Sequence, residues 1–204
     1  MLEELFNLVK NVASEPSSDH TQITPDQKNE VVAEATNTVA SGLRNIVAGG
    51  GIQSLIGLLT GGNNQQQGKS SLLSNPIVAM MIGHFAGKLM NKLNIGNAQA
   101  NSIATSLIPG VISSLIGNIN DSNNSTFSIE NLLKSITGGQ TDQIAQQNPQ
   151  FNIGDLISQF TGGGNSSQQP SGILDVIGQL AQGAQQQQSR NGGGLLDLIK
   201  GFTQ

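Results

Sequence analysis

One apolar pattern recurs seven times and decides what kind of structure the chain can form. In each copy, large apolar residues occupy positions i, i+3, i+4 and i+7, which lie on one face of an α-helix. No segment alternates apolar and polar residues for long enough to indicate a β-strand. The sequence therefore predicts an all-α fold. The copies, called stripes below, are Leu2/Leu5/Phe6/Val9, Ile52/Leu55/Ile56/Leu59, Ile112/Leu115/Ile116/Ile119, Ile129/Leu132/Leu133/Ile136, Ile153/Leu156/Ile157/Phe160, Ile173/Val176/Ile177/Leu180 and Leu195/Leu198/Ile199/Phe202.

Two longer helices are predicted in addition to the short ones. The segment 24–27, Thr-Pro-Asp-Gln, has the composition of a capping box and predicts a helix that runs to about Ala48. Three glycines, Gly49 to Gly51, are expected to stop that helix. The second long helix is expected to begin after Pro76 and to break at 94–96, Asn-Ile-Gly.

The segment 77–108 has the outline of a helix-turn-helix motif. Asn97 can cap a helix over 98–108, and Pro109 then kinks the chain or starts a new helix through Ile119. Gln99 or Asn101 could read adenine, but this helix has no Lys or Arg, and only Lys88 and Lys92 could hold phosphate. A plain helical corner is favoured, and a DNA-associated regulator using 77–108 is the alternative.

Neutral amide residues and glycine dominate the C-terminal part. Gln, Asn and Gly make up 69 of the 204 residues. We divide the chain into an N-terminal helical region 1–62, a helix-turn-helix-like core region 72–120 and a low-complexity tail 121–204 with four short amphipathic helices. Three stripes end in Thr-Gly-Gly, at 60–62, 137–139 and 161–163. Glycine at that place predicts a left-handed helix stop.

The short tail helices are not expected to fold alone. Each offers about four large apolar side chains, and full burial of one contributes roughly 1.5–3 kcal/mol to stability. Ordering about eleven residues costs about 1–2 kcal/mol per residue. The stripes therefore need a partner surface, which could be the first two regions, another copy of the chain or a membrane.

Charge and composition exclude several classes of function. The chain has 13 acidic and 9 basic residues and no Cys. A net charge of −4 argues against nucleic-acid binding, which needs clustered cations. No apolar run approaches the about 18–20 residues of a membrane span, and the acidic N-terminus does not resemble a signal peptide. Membrane-surface contact is disfavoured because the stripes carry Asp155, Asp175 and Asp197. We expect a cytoplasmic protein.

No residue stands out as catalytic, cofactor-binding or metal-ligating. His20 lies in a Ser-rich segment and His84 in an apolar one, and neither has further ligands near it in the sequence. We therefore expect a non-enzymatic protein without a cofactor.

The leading hypothesis is self-association, or binding of a protein partner, through the stripes and through a ridge of small residues. Ala79, Gly83 and Gly87 are spaced four apart and form that ridge on one helix face, where a second helix can approach closely. The candidate contact residues are Ala79, Gly83, Gly87, Leu132, Leu133, Leu156, Ile157, Val176, Ile177, Leu198 and Ile199.

The first 120 residues resemble the YidB-like family of small bacterial proteins of unknown function. The resemblance rests on Gly50-Gly51-Ile52-Gln53, on 92–96 (Lys-Leu-Asn-Ile-Gly) followed by Ala100, and on 107–109 (Leu-Ile-Pro). It implies a bacterial protein with a helical, homeodomain-like core and gives no catalytic or ligand residues. The Gln/Gly-rich tail departs from the family pattern.

Overall fold

The computed structural model describes residues 2–15, 25–60, 69–121, 127–147, 154 and 173–190. Within these ranges 87% of the residues are helical and none lies in a strand, which confirms the predicted all-α fold. The helices are α1 (Leu2–Ala13), α2 (Pro25–Ala48), α3 (Ile52–Leu59), α4 (Lys69–Leu73), α5 (Pro76–Leu93), α6 (Asn97–Asn120), α7 (Ile129–Ile136), α8 (Gln140–Gln147) and α9 (Ile173–Arg190).

The contacts divide the chain into two compact units. Among the described residues, unit 1 contains 43–60, 118–121, 127–147, 154 and 173–190. Unit 2 contains 2–15, 25–42 and 69–117. Residues 43–60, from the predicted N-terminal region, thus belong to the same unit as the described part of the predicted tail. The division into regions 1–62, 72–120 and 121–204 stays a prediction about the sequence.

Helix α6 supplies much of the core of unit 2 and has no charged residue over its 24 positions. Gly110 in this helix lies so close to α1 that a Cβ atom there would stand 2.9 Å from Cγ1 of Val12. Glycine therefore permits the close approach of α1 and α6. The buried residues of α6 in this unit are Ala100, Ile103, Ala104, Leu107, Ile108, Pro109, Gly110, Val111, Ile112 and Leu115.

Unit 2 also contains the buried faces of α1, α2 and α5. The two long predicted helices are present as α2 and α5, and their residues Val31, Val39, Phe85 and Leu89 are buried. Helix α5 begins after Asn75, whose side chain accepts a hydrogen bond from the backbone N–H of Ile77 at 2.9 Å. This N-cap was not predicted from the sequence.

Helices α3 and α7 of unit 1 share a buried stripe and the same C-terminal ending. All four stripe side chains are buried in each helix. Each helix also ends at a threonine, Thr60 or Thr137, whose N–H and Oγ1 both donate to the carbonyl four residues earlier. The hydroxyl distances are 2.8 Å for Thr60 to Ile56 O and 2.7 Å for Thr137 to Leu133 O. We call this arrangement, a helix with a buried stripe that ends at a threonine, a module, and α3 and α7 are two copies of it.

Glycines stop two helices as the sequence predicts. Gly50 has a φ of 77°, and Gly51 N–H donates to Ile46 O at 2.8 Å. Gly138 has a φ of 66°, and Gly139 N–H donates to Lys134 O at 2.8 Å. These contacts form the 6→1 bond of a Schellman ending, so the predicted stops after α2 and α7 are confirmed. The glycines at 61–62 and 161–163 and the capping residue Thr24 lie outside the described residues.

Of the two alternatives predicted at Pro109, a kink or the start of a new helix, the structure contradicts the second. Pro109 lies inside α6, which continues without interruption from Asn97 to Asn120. Proline removes one backbone hydrogen bond and costs about 3 kcal/mol in a helix interior. Its neighbours Ile108 and Val111 are fully buried, and such side chains contribute about 1.5–3 kcal/mol each. Burial on both sides of the proline therefore outweighs its cost. By contrast, the predicted break at 94–96 is confirmed: Asn94 has a left-handed φ of 50°.

The described tail helices find their partner surface within unit 1. Helix α8 contacts both α7 and α9. The side chain of Gln185 in α9 donates to the carbonyl of Ala48 at the end of α2, at 3.0 Å. Gly183 of α9 lies against the start of α8 and the end of α7, where a Cβ atom would stand 2.9 Å from the Thr137 carbonyl oxygen. Within the described residues, the tail helices therefore contact one another and, through Gln185, the end of α2.

Candidate functional site

Among the described residues, one face of α5 leaves a large apolar side chain exposed. Met80, Gly83, His84 and Gly87 follow the spacing i, i+3, i+4, i+7, and Ala79 lies beside them. All are exposed except Gly87, which is half-buried. We call these five residues the α5 face. Met80 is 73% exposed, the larger of the two values among exposed large apolar residues in the described ranges; the other is Leu73, at 43%.

The α5 face is exposed because the opposite side of the helix carries most of its large apolar side chains and packs in the core. Val78, Met81, Ile82, Phe85 and Leu89 are buried in unit 2. Residues 79, 80, 83, 84 and 87 then lie away from that core by helical geometry alone. The sequence prediction named the small residues of this face but missed Met80. Its position out of step with the buried series Val78, Met81 and Phe85 is a signal that could have identified it.

The glycines of the α5 face have nothing packed against them. A Cβ atom added at Gly83 or at Gly87 would meet no heavy atom within 4 Å. By contrast, a Cβ atom at Gly42 of α2 would collide with the side chain of Met81, with its Cε atom at 2.6 Å. The small residues at 83 and 87 are therefore not explained by a close contact among the described residues.

The stripe residues predicted to make contacts fall into two groups. Leu132, Leu133 and Val176 are buried, and Ile177 is half-buried, all within unit 1. These side chains belong to the core of the chain that carries them. The candidates Leu156, Ile157, Leu198 and Ile199 lie outside the described residues.

The two lysines needed for DNA binding are paired with a carboxylate. Lys92 donates a short hydrogen bond of 2.5 Å to Oε1 of Glu34, and Lys88 Nζ lies 3.2 Å from Oε2. Glu34 is 5% exposed. Burial by itself raises the pKa of this carboxyl, but the hydrogen bond from Lys92 and the charge of Lys88 together bring its pKa below the ordinary value.

This arrangement argues against the helix-turn-helix alternative. The exposed side of the first turns of α6 presents Ala98, Asn101, Ser102 and Thr105, which carry no charge. Phosphate contacts supply most of the affinity of DNA-binding helices, and Glu34 offsets one of the two cations nearest to this turn. The DNA-associated reading stays a prediction without a cationic surface to support it.

Arg44 of α2 is a buried charge in unit 1. The residue is 6% exposed, and its Nε atom has no hydrogen-bond partner. No ion pair of Arg44 occurs within the described ranges. Burial lowers the pKa of this guanidinium from its ordinary value. A buried polar atom without a hydrogen-bond partner costs free energy, and Nε of Arg44 is such an atom.

Among the described residues, no group of three or more His, Asp or Glu side chains comes together as a metal site.

The prediction that no segment could span a membrane needs one amendment. Over the described residues, α6 is long and apolar enough to cross a membrane by length and composition, although half of the relevant window is buried inside the chain. The prediction overlooked this helix because Asn, Ser, Gly and Pro interrupt its apolar runs. Core helices pass the same test, so this is weak support for a span.

Comparison with known proteins gives no match to any family model, to any curated protein or to any solved structure. The similarity of residues 1–120 to the YidB-like family therefore stays a prediction. The function has to be argued from the surfaces of the chain itself.

Proposed function

We propose that this chain is a non-enzymatic helical protein that self-associates through the α5 face. The observation that carries the proposal is the 73% exposure of Met80 on a face where an added Cβ atom at Gly83 or Gly87 would meet no heavy atom within 4 Å. Exposed large side chains next to small residues let a second helix pack closely, with Met80 as the side chain that becomes buried.

The charge of this surface is compatible with contact between identical copies. From Ser70 to Gly87 the sequence has no Asp, Glu, Lys or Arg. A two-fold contact places the same patch opposite itself, so any net charge in the patch would repel its own copy. A face without Asp, Glu, Lys or Arg reduces that repulsion.

The expected association is weak. A single helix face is smaller than the about 1,200–2,000 Å² of a stable interface. We therefore expect a dissociation constant between about 1 µM and 1 mM. The buried stripe residues of α3 and α7 do not add to this contact, because they already belong to the core of unit 1.

The proposal is tested by light scattering on the full chain after size-exclusion chromatography, at several concentrations. The mass of the unaltered protein is expected to rise above 21.2 kDa with concentration. Met80→Glu should return it to the monomer mass, because a carboxylate would be desolvated in the contact. The matched control is Gln53→Glu, which adds the same charge at an exposed position of α3. A monomer at every concentration, or equal effects of the two variants, would refute the proposal.

A further inference from the structure

We propose that Met80 is a modification site: a peroxide oxidises its thioether to the sulfoxide, and this oxidation releases the self-association of the chain. The effect on association rests on the proposed function, whereas the oxidation itself does not. Three observations carry the inference. The chain offers an oxidant few sulfur atoms, Met80 is far more exposed than the methionine next to it, and Met80 lies on the α5 face.

The first observation is the sulfur content of the chain. It has no Cys, whose thiolate is the other sulfur nucleophile of proteins. It has four methionines, Met1, Met80, Met81 and Met90, of which Met1 lies outside the described residues. Methionine is therefore the only sulfur-containing side chain that a peroxide can oxidise in this sequence.

The second observation is a contrast between two adjacent methionines of α5. Met80 is 73% exposed, whereas Met81 is 4% exposed. Met81 packs against α2 so closely that a Cβ atom at Gly42 would stand 2.6 Å from its Cε atom. Met90 is half-buried. Oxidation requires the oxidant to reach the sulfur atom, so Met80 is the described methionine that reacts first.

The reaction at Met80 needs only the thioether and a peroxide. A lone pair of the sulfur atom attacks one oxygen of hydrogen peroxide, and the O–O bond breaks as the S–O bond forms. The sulfur is oxidised by two electrons, the peroxide is reduced, and its second oxygen leaves as water. The product is a sulfoxide, which is polar where the thioether was apolar.

The third observation is the place of this side chain on the proposed contact. Met80 is the one large apolar residue of the α5 face, whose other members are Ala79, Gly83, His84 and Gly87. Association through this face therefore depends on removing the Met80 side chain from water. A sulfoxide oxygen taken into the contact would lose its hydrogen bonds to water. We expect oxidation of Met80 to raise the dissociation constant by at least about tenfold.

The first experiment tests the site of oxidation. The full chain is treated with hydrogen peroxide at a protein concentration well below the dissociation constant. Fragment-ion mass spectrometry then assigns each added oxygen atom to Met80 or to Met81. We expect Met80 to gain oxygen at least about tenfold faster than Met81. Equal rates at the two residues would overturn the inference, because exposure would then not select the site.

The second experiment tests the effect on association. Light scattering compares treated and untreated protein over the same concentrations, and the treated protein should stay at the monomer mass where the untreated one associates. A methionine sulfoxide reductase supplied with a thiol reductant should restore association, with the sulfoxide oxygen leaving as water and the thiols forming a disulfide. Circular dichroism checks that the treated protein keeps its helical content.

Two variants provide matched controls for the second experiment. Met80→Leu has a similar volume, keeps the face apolar and has no sulfur, so it should associate both before and after treatment. Met81→Leu retains Met80 and should lose association on treatment, as the unaltered chain does.

The results that contradict the inference differ from those that contradict the proposed function. Oxidised protein that associates as before overturns the inference and leaves self-association standing. The same holds if Met80→Leu loses association on treatment as the unaltered chain does, because the effect then arises elsewhere. An untreated chain that is a monomer at every concentration refutes self-association itself, and the release by oxidation fails with it.

Discussion

Gly183 of α9 approaches the end of α7 so closely that a Cβ atom there would stand 2.9 Å from the carbonyl oxygen of Thr137. Backbone cannot move aside as a flexible side chain can, so a larger residue at 183 must separate the two helices. Gly183→Ala is expected to lower the free energy of unfolding by about 1–3 kcal/mol, measured from the urea midpoint.

Gly178 on the same helix provides the control. A Cβ atom there would meet nothing within 4 Å. Gly178→Ala should raise the free energy of unfolding by about 0.5–1 kcal/mol, because alanine restricts the unfolded chain and favours helix. If both alanine variants proved equally stable, α9 would not pack against α7.

The contact between α1 and α6 allows a second prediction of the same kind. Gly110→Ala would place its Cβ atom 2.9 Å from Cγ1 of Val12, a side chain with restricted rotamers. We expect a loss of about 1–3 kcal/mol and a lower midpoint of thermal unfolding. Gly117→Ala, on the same helix and open to space, should not lower that midpoint. Equal midpoints for the two variants would contradict the observed approach of α1.

Glu34 is expected to stabilise the fold at neutral pH but not in acid. Its pKa is lowered in the folded chain, so its contribution is complete above the unfolded pKa and is lost as the pH falls through the folded pKa. At pH 7, Glu34→Gln should cost about 1–3 kcal/mol, because Lys88 and Lys92 lose their charged partner.

Urea unfolding at pH 7 and at acidic pH measures this difference. The gap between Glu34→Gln and the unaltered protein should close as the pH falls below the ordinary carboxyl range. Glu30→Gln, at an exposed position of the same helix, should leave the free energy of unfolding unchanged at both pH values. A gap that persisted unchanged in acid would mean that the carboxylate charge is not what Glu34 contributes.

Arg44 should be replaceable without loss of stability. Methionine keeps most of the apolar stem and removes the desolvated charge, so we expect Arg44→Met to leave the free energy of unfolding unchanged or to raise it by about 1–3 kcal/mol. Lys28→Met, at an exposed position of α2, is the control for loss of a positive charge. A loss of more than about 1 kcal/mol at Arg44 alone would reveal a partner for its guanidinium.

Local signals in the sequence predicted much of the helical structure, whereas non-local pairings were invisible to them. The stripes identified α3 and α7 because four large side chains at helical spacing have one face to bury. Helix α8 was missed because Ile144 is its only large apolar residue. The pairing of Glu34 with Lys92 joins residues 58 positions apart, and no local pattern predicts it.

The candidate site was predictable only in part. The spacing of Ala79, Gly83 and Gly87 indicated a helix contact, but the exposure of Met80 depends on which face the core takes. Likewise, the burial of Leu132 and Val176 in unit 1 depends on tertiary packing, in which α8 contacts both α7 and α9. Sequence spacing shows that a helix has an apolar side, and only the folded chain shows what covers it.

The threonine endings of α3 and α7 have a consequence for how such chains can change in length. Each module contains the residue that ends its helix. In both, the hydroxyl of a threonine donates a hydrogen bond to the carbonyl oxygen four residues before it. A gene that duplicated or deleted one whole module at a glycine boundary would leave the register of every other helix intact. Losses of one or two residues inside a module would instead rotate its apolar side away from the core.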